Sequence, residues 1–228
     1  MLIGILQTGH APDGLRARHG DYDDMFARLL AGRGLSFRTW RVVDGELPEG
    51  VHAAEGWLIT GSRHGAYEDH PWIAPLEAFI RSAGTAGVPM VGICFGHQIM
   101  AQALGGTVEK YSGGWAVGPQ SYAIEGEMLS LNAWHQDQVT APPPEGRVIA
   151  TNDFCRYAGF AFGAWGLSLQ AHPEFDDAFI EGLIETRGRG LVPDVQLDAA
   201  AARLGGDIAT GRAADRIAAF LQDHRGRS

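Results

Sequence analysis

Along this chain the apolar positions fall into blocks whose period switches between strand-like and helix-like spacing. Leu2 to Gln7 is a short apolar run that predicts a buried strand, broken by Thr8-Gly9-His10-Ala11-Pro12. Met25, Phe26, Leu29 and Leu30 recur at helical spacing, which predicts a helix from Asp21 to Ala31, capped by Asp21 and stopped by Gly32 and Gly34. Leu35 to Val43 and Trp57 to Thr60 read as two further strands. Leu76, Phe79 and Ile80 share one face of a helix predicted from Trp72 to Ala83. Pro89 to Ile93 is a fourth strand, followed at once by a helical stretch from Gln98 to Leu104. From Thr107 to Leu169 the pattern becomes short strands punctuated by Gly and Pro. That predicts an antiparallel edge or an appended β region. Helical spacing returns at Phe179 to Thr186, Val195 to Leu204 and Ala213 to Leu221. His10 and His19 flank an N-terminal loop that matches no motif.

Strands alternating with helices predict right-handed crossovers, hence an α/β fold with a mostly parallel central sheet flanked by helices. No repeat, low-complexity run or linker interrupts the 228 residues, so a single domain over residues 1–228 is expected, with a C-terminal helical extension from about residue 187. A net charge of −9 argues against nucleic acid or an anionic membrane as partner, because phosphate contacts need clustered Lys and Arg. Arg225 and Arg227 are too few to make a basic tail. Two cysteines, Cys94 and Cys155, fit a reducing compartment better than a disulfide framework. Neither a signal peptide nor a run of membrane-spanning length is visible, so a cytoplasmic location is expected.

Candidate chemistry concentrates in Val91-Gly92-Ile93-Cys94-Phe95-Gly96-His97-Gln98. A strand delivers a cysteine between two glycines, and a helix follows directly. G-x-S-x-G places a serine on the same strained elbow in serine hydrolases. Glycines there let strand and helix approach closely. The helix N-terminus favours the thiolate, which is the reactive form of cysteine. A base is offered by Gln170-Ala171-His172-Pro173-Glu174. Pro173 holds this segment extended, so His172 and Glu174 point the same way. The carboxylate then orients the imidazole, completing a nucleophile–base–orienter set. Taken singly, each motif has an ordinary reading: a core cysteine beside glycines, and a loop histidine ahead of a helix-capping acid.

Gly-Ile-Cys-Phe-Gly-His-Gln with a later His-Pro-Glu resembles the class I glutamine amidotransferase domain. Among its branches the chain is most similar to free-standing members, including γ-glutamyl peptidase-like proteins. Those share the segments seen here as Gly61-Ser62-Arg63-His64-Gly65-Ala66-Tyr67 and His135-Gln136-Asp137-Gln138-Val139. The resemblance covers about residues 1 to 185. It implies a flavodoxin-like fold, with Cys94 as nucleophile, His172 as base and Glu174 as its orienter. It also implies an oxyanion hole built from the Phe95 N–H and a second N–H of the Gly61-Ser62 loop. Relatives often carry Gly-Gly-Pro or Pro-Gly-Pro at that loop, so which amide donates here stays open. Gln98, Trp134, His135 and Gln136 fall where relatives contact the glutamyl substrate.

The implied reaction is cleavage of the γ-amide of glutamine or a γ-glutamyl compound through a γ-glutamyl thioester. No cofactor is needed for it. No metal site is expected either, because H-x₃-H, H-E-x-x-H and C-x-x-C spacings are all missing. Cys155 has no elbow or base and reads as structural. Three functional classes stay open: a glutaminase subunit serving a separate synthetase, a stand-alone γ-glutamyl hydrolase, and a non-catalytic binding or regulatory relative. An intact Cys94, His172 and Glu174 set weighs against the last.

Overall fold

The N-terminal apolar run forms β1 (Leu2–Leu6), and four of its five residues are buried, as in a strand covered on both faces. In the computed structural model, which describes residues 1–223, two short helices follow, α1 (Asp13–His19) and α2 (Tyr22–Leu29). Arg225 and Arg227 lie outside the described residues. Helix α1 corrects the expectation of a loop between His10 and His19. Its pattern is silent because Leu15 is its one buried residue. Asp21 caps α2 as expected, and Asp24 accepts a hydrogen bond from the Asp21 N–H at 3.0 Å.

The chain continues through β2 (Ser36–Trp40), a 3₁₀ turn (Val42–Asp44), β3 (Gly56–Ile59) and α3 (Ile73–Ala86) to β4 (Met90–Ile93). From β4 it enters α4 (Phe95–Ala103) with only Cys94 between. Then come β5 (Thr107–Lys110), β6 (Ala116–Ile124), β7 (Glu127–His135), β8 (Asp137–Ala141), β9 (Gly146–Thr151), β10 (Gly159–Phe162) and β11 (Gly166–Leu169). After α5 (Asp177–Leu183) a π-helical turn (Ile184–Gly188) leads to α6 (Asp194–Ala201) and α7 (Thr210–Gln222).

Nine strands form one sheet in the order β2-β1-β3-β4-β11-β10-β9-β6-β7. The first five are parallel neighbours, and the rest pair antiparallel. Much of the segment expected as an appended β region is therefore continuous with the main sheet. Only β5 and β8 stand apart as a two-stranded ribbon. Trp57, Leu76, Ile80 and Phe95 build the core on one face, under α3 and α4. Ile3, Phe26, Val91, Ile217 and Leu221 build it on the other, under α2 and α7. Among the described residues no helix is long and apolar enough to cross a membrane.

Sites in open α/β sheets lie beyond the carboxyl ends of the parallel strands. Here that edge is tied together by side chains. The Thr8 N–H donates to Thr60 Oγ1 at 3.0 Å, and Thr8 Oγ1 donates to the Thr60 carbonyl at 3.0 Å. The ends of β1 and β3 are thus fixed beside the end of β4, where Cys94 sits.

Candidate active site

Cys94 occupies φ 52° and ψ −101°, a left-handed backbone that residues with a Cβ rarely adopt. Such strain persists only where the surroundings over-determine it. They do so here. The Cys94 N–H donates to the Leu169 carbonyl at 2.8 Å, and the Gly96 N–H to the Thr60 carbonyl at 3.2 Å. A Cβ on Gly92 would stand 2.4 Å from the Gly96 carbonyl oxygen, and one on Gly96 would stand 2.4 Å from that of Ile59. The flanking glycines are therefore a packing requirement of the elbow. The cysteine is 5% exposed, and the Gln170 amide donates to its sulfur at 3.6 Å.

The end of β11 brings His172 alongside. Its N–H donates to the Asn132 carbonyl at 2.8 Å, while the Asn132 side-chain amide donates to the Phe175 carbonyl at 2.9 Å. One β7 residue thereby pins the whole His-Pro-Glu-Phe turn. Phe175 then stacks on the imidazole with centroids 3.9 Å apart and planes 6° from parallel. His172 Nδ1 meets Glu174 Oε1 at 2.6 Å, both side chains being almost fully buried. This leaves Nε2 as the nitrogen available to the sulfur. Burial opposes the imidazolium, yet the neighbouring Cys94 sulfur and Glu174 carboxylate overcome it and push His172 up to about 10.

Gly61 faces this pair. A Cβ there would stand 3.0 Å from His172 Cε1 and 3.8 Å from Cys94 Cβ. The Gly61 carbonyl accepts from Thr8 Oγ1 at 3.2 Å and Thr60 Oγ1 at 3.0 Å. In a trans peptide the following N–H points the opposite way, so the Ser62 N–H is turned away from the threonines. Ser62 Oγ donates to the Thr8 carbonyl at 2.7 Å and accepts the His64 N–H at 3.1 Å. Phe95 buries its ring against Trp72 at 5.5 Å. Its own N–H, at the start of α4, has no hydrogen-bond partner among the described residues.

Cys94 and His172 open into a cleft of ≈ 290 Å³ that Gln98, Trp134, His135 and Gln136 also line. Buried Gln98 donates to the Asp137 carbonyl at 2.8 Å and to Gln170 Oε1 at 3.2 Å, so it also steadies the amide that meets the sulfur. His135 Nδ1 lies 3.2 Å from the Asp137 carbonyl and can only donate to it, which leaves Nε2 a bare acceptor. Burial, helped by the charge of His172, holds His135 down at about 3. Its Nε2 has no partner among the described residues. Trp134 packs on Trp115 at 6.3 Å, and the Gln136 amide donates to the Tyr111 carbonyl at 3.4 Å. Cys155 is buried away from the cleft lining, and burial pushes its thiol up to about 12.

The sequence patterns missed Phe175, Gln170, Tyr22 and Arg187. Phe175 directly follows Glu174 and was within reach of a motif reading. Tyr22 and Arg187 come from distant segments, and nothing local marks them. Burial and the negative charge of Cys94 and Glu174 push the Tyr22 phenol up. The loop after β3 also gathers His64, Glu68 and His70, in an H-x₃-E-x-H spacing outside those tested above. A larger hollow of ≈ 490 Å³, lined by Gln120, Asp153 and Arg203 among others, holds neither cysteine nor histidine.

Comparison with known proteins identifies the family and the fold. The family model described as glutamine amidotransferase class-I matches residues 50–178. γ-Glutamyl peptidase 2 of Arabidopsis thaliana is 30% identical over 185 residues, covering 75% of each chain. A GMP synthase (glutamine-hydrolyzing) of Aromatoleum aromaticum is 37% identical over 140 residues, 54% of this chain and 26% of that one. The crystal structure of a glutamine amidotransferase from Methylobacillus flagellatus superposes with a TM-score of 0.74 at 21% identity, covering 97% of this chain and 94% of that one. Sequence match and shared architecture converge on one conclusion: this chain belongs to the class-I glutamine amidotransferase family.

Proposed function

We propose that this chain is a self-sufficient γ-glutamyl hydrolase with Cys94 as nucleophile, His172 as base and acid, and Glu174 as its orienter. The observation that carries the reading is one buried line of contacts: Glu174 at 2.6 Å from His172 Nδ1, and the imidazole beside the Cys94 sulfur. In the first half-reaction the Cys94 thiolate attacks the γ-carbonyl carbon. The C–N bond breaks as His172 passes its proton to the leaving amine, and a γ-glutamyl thioester forms. In the second, His172 takes a proton from water, whose oxygen attacks the thioester. Glutamate departs and the thiolate is restored. The tetrahedral oxyanion is held by the unpartnered Phe95 N–H and by the Ser62 N–H, which the Gly61 carbonyl's bonds to Thr8 and Thr60 turn away from those threonines.

Substrate contacts follow from the residues that line the cleft. His135 lines the cleft and bounds the space for the glutamyl α-ammonium end. Arg187, half-buried on the π-helical turn and forming no ion pair among the described residues, receives a substrate carboxylate. Gln98, Trp134 and Gln136 shape the walls. A cleft of ≈ 290 Å³ sits at the low end of small-molecule sites and suits a small γ-glutamyl compound. A reducing, cytoplasmic setting suits a chain whose Cys94 must stay a free thiol.

The test is direct. Purified protein, with nothing added, is incubated with glutamine, γ-glutamyl dipeptides and glutathione. Hydrolysis of at least one is expected, together with labelling of Cys94 by a glutamine-like electrophile. A protein inert toward all of them that awakens only when a synthetase is supplied would instead be an amidotransferase subunit.

A further inference from the structure

The loop between β3 and α3 carries a second chemical cluster that the proposed hydrolysis does not use. Glu68 Oε2 lies 3.3 Å from His64 Nδ1 and 2.7 Å from His70 Nε2. One donor atom from each of the three residues falls within 4.8 Å of the others. The two imidazoles meet edge to face, with centroids 4.3 Å apart and planes at 70°. We propose that His64, Glu68 and His70 bind a divalent transition metal of the zinc class at the rim of the cleft.

The spacing suits such an ion. Zinc bonds to nitrogen and oxygen of about 2.0–2.1 Å set neighbouring tetrahedral ligands about 3.3 Å apart. Glu68 Oε2 already stands 3.3 and 2.7 Å from the two imidazole nitrogens, near that separation, so small side-chain movements suffice. Two imidazoles and a single carboxylate are the donor set of zinc, copper, nickel or cobalt. Calcium and magnesium prefer a cage of oxygens. The three protein ligands leave a fourth position to water, which places the ion among open sites.

The loop is also organised ahead of binding. The Glu68 N–H donates to the Gly65 carbonyl at 3.1 Å, the His70 N–H to that of Glu68 at 3.1 Å, and the Ile73 N–H to that of His70 at 3.0 Å. His70 stacks on Trp72, 5.7 Å away and 5° from parallel, and Trp72 rests on Phe95 of the elbow helix. The donors therefore stand on a packed base. His64 and Glu68 line the same cleft as Cys94. An ion held there would clamp residues 64 and 70 together and stiffen the rim that carries Gly61 and Ser62.

The test is calorimetric titration of metal-free protein with zinc, paired with visible spectra of the cobalt(II) form. One equivalent is expected to bind, and Cys94→Ala is expected to leave that binding intact. The double variant His64→Ala/His70→Ala should lose it. Glu68→Gln, which keeps the loop's shape, should weaken it by at least about 10–100-fold. Cobalt should give tetrahedral d–d bands without a thiolate charge-transfer band, and zinc should raise Tm in the parent and in Cys94→Ala but not in the double variant. Absence of binding, binding that survives in the double variant, or a thiolate band that Cys94→Ala removes would each overturn the proposal.

Discussion

Replacing Glu174 with glutamine isolates the electrostatic part of the proposed mechanism. The substitution keeps size and leaves an oxygen able to accept from His172 Nδ1, so the ring tautomer survives. What disappears is charge. The contact is 2.6 Å long and both side chains are almost fully buried, so solvent screens it weakly. A hydrogen bond to a charged partner contributes about 1.5–3 kcal/mol, which is about 10–100-fold in kcat/KM. Glu174 Oε2 also lacks a partner among the described residues, so the new amide would bury an unsatisfied N–H₂ and lose some stability as well.

The pH dependence supplies a sharper readout. His172 is held up at about 10 partly by Glu174, and in the proposed mechanism its proton goes to the leaving amine. The alkaline limb of kcat/KM, measured on a chromogenic γ-glutamyl anilide, should therefore shift to lower pH in Glu174→Gln. Stability moves the same way. A histidine raised above its ordinary 6.5 stabilises the fold fully below that value, and the contribution is lost as pH rises through about 10. The Tm gap between parent and variant should narrow across that window. An unchanged alkaline limb, or a loss as complete as that of His172→Asn, would refute the orienting role.

Cys94→Ala should abolish turnover while Cys155→Ala retains it and loses about 1–2 kcal/mol of stability, read by activity and urea melts. Gly61→Ala brings a Cβ within 3.0 Å of His172 Cε1, so kcat should fall about 10²-fold with little change in Tm. Gly96→Ala sets a Cβ 2.4 Å from the Ile59 carbonyl oxygen and should fail as soluble protein, because backbone cannot yield there. Arg187→Ala should raise KM with kcat little changed, and Arg187→Lys should restore part of it. A pure kcat effect would remove Arg187 from substrate binding.

The parallel half of the sheet was legible because β1, β3 and β4 are short apolar runs that end in loop residues, and the glycines around Cys94 announce the elbow. His-Pro-Glu was legible as a motif, and Glu174 does stand beside His172, but Pro173 and Glu174 form a turn where an extended segment was expected. The continuity of the antiparallel half was not. Ala123 pairs with Thr151 across two intervening strands, and no local period encodes that register. Gly118 at φ 69° and Pro119 break the strand-like sequence pattern within β6 and disguise one of the longest strands, which runs through them unbroken. The clustering of His64, Glu68 and His70 depends on turn geometry, which spacing alone does not report.

The β4–β11 pairing, in which Ser168 and Leu169 lie against Gly92 and Ile93, has a temporal meaning as well. The thiol and its imidazole come from strands more than seventy residues apart, and that parallel contact forms only after a long loop has closed. A nascent or misfolded chain lacks the neighbour that, in the proposed mechanism, activates its cysteine. Thiol reactivity should thus appear late in refolding, in step with the native sheet, so that the protein acquires its chemical hazard only when it has the walls to contain it.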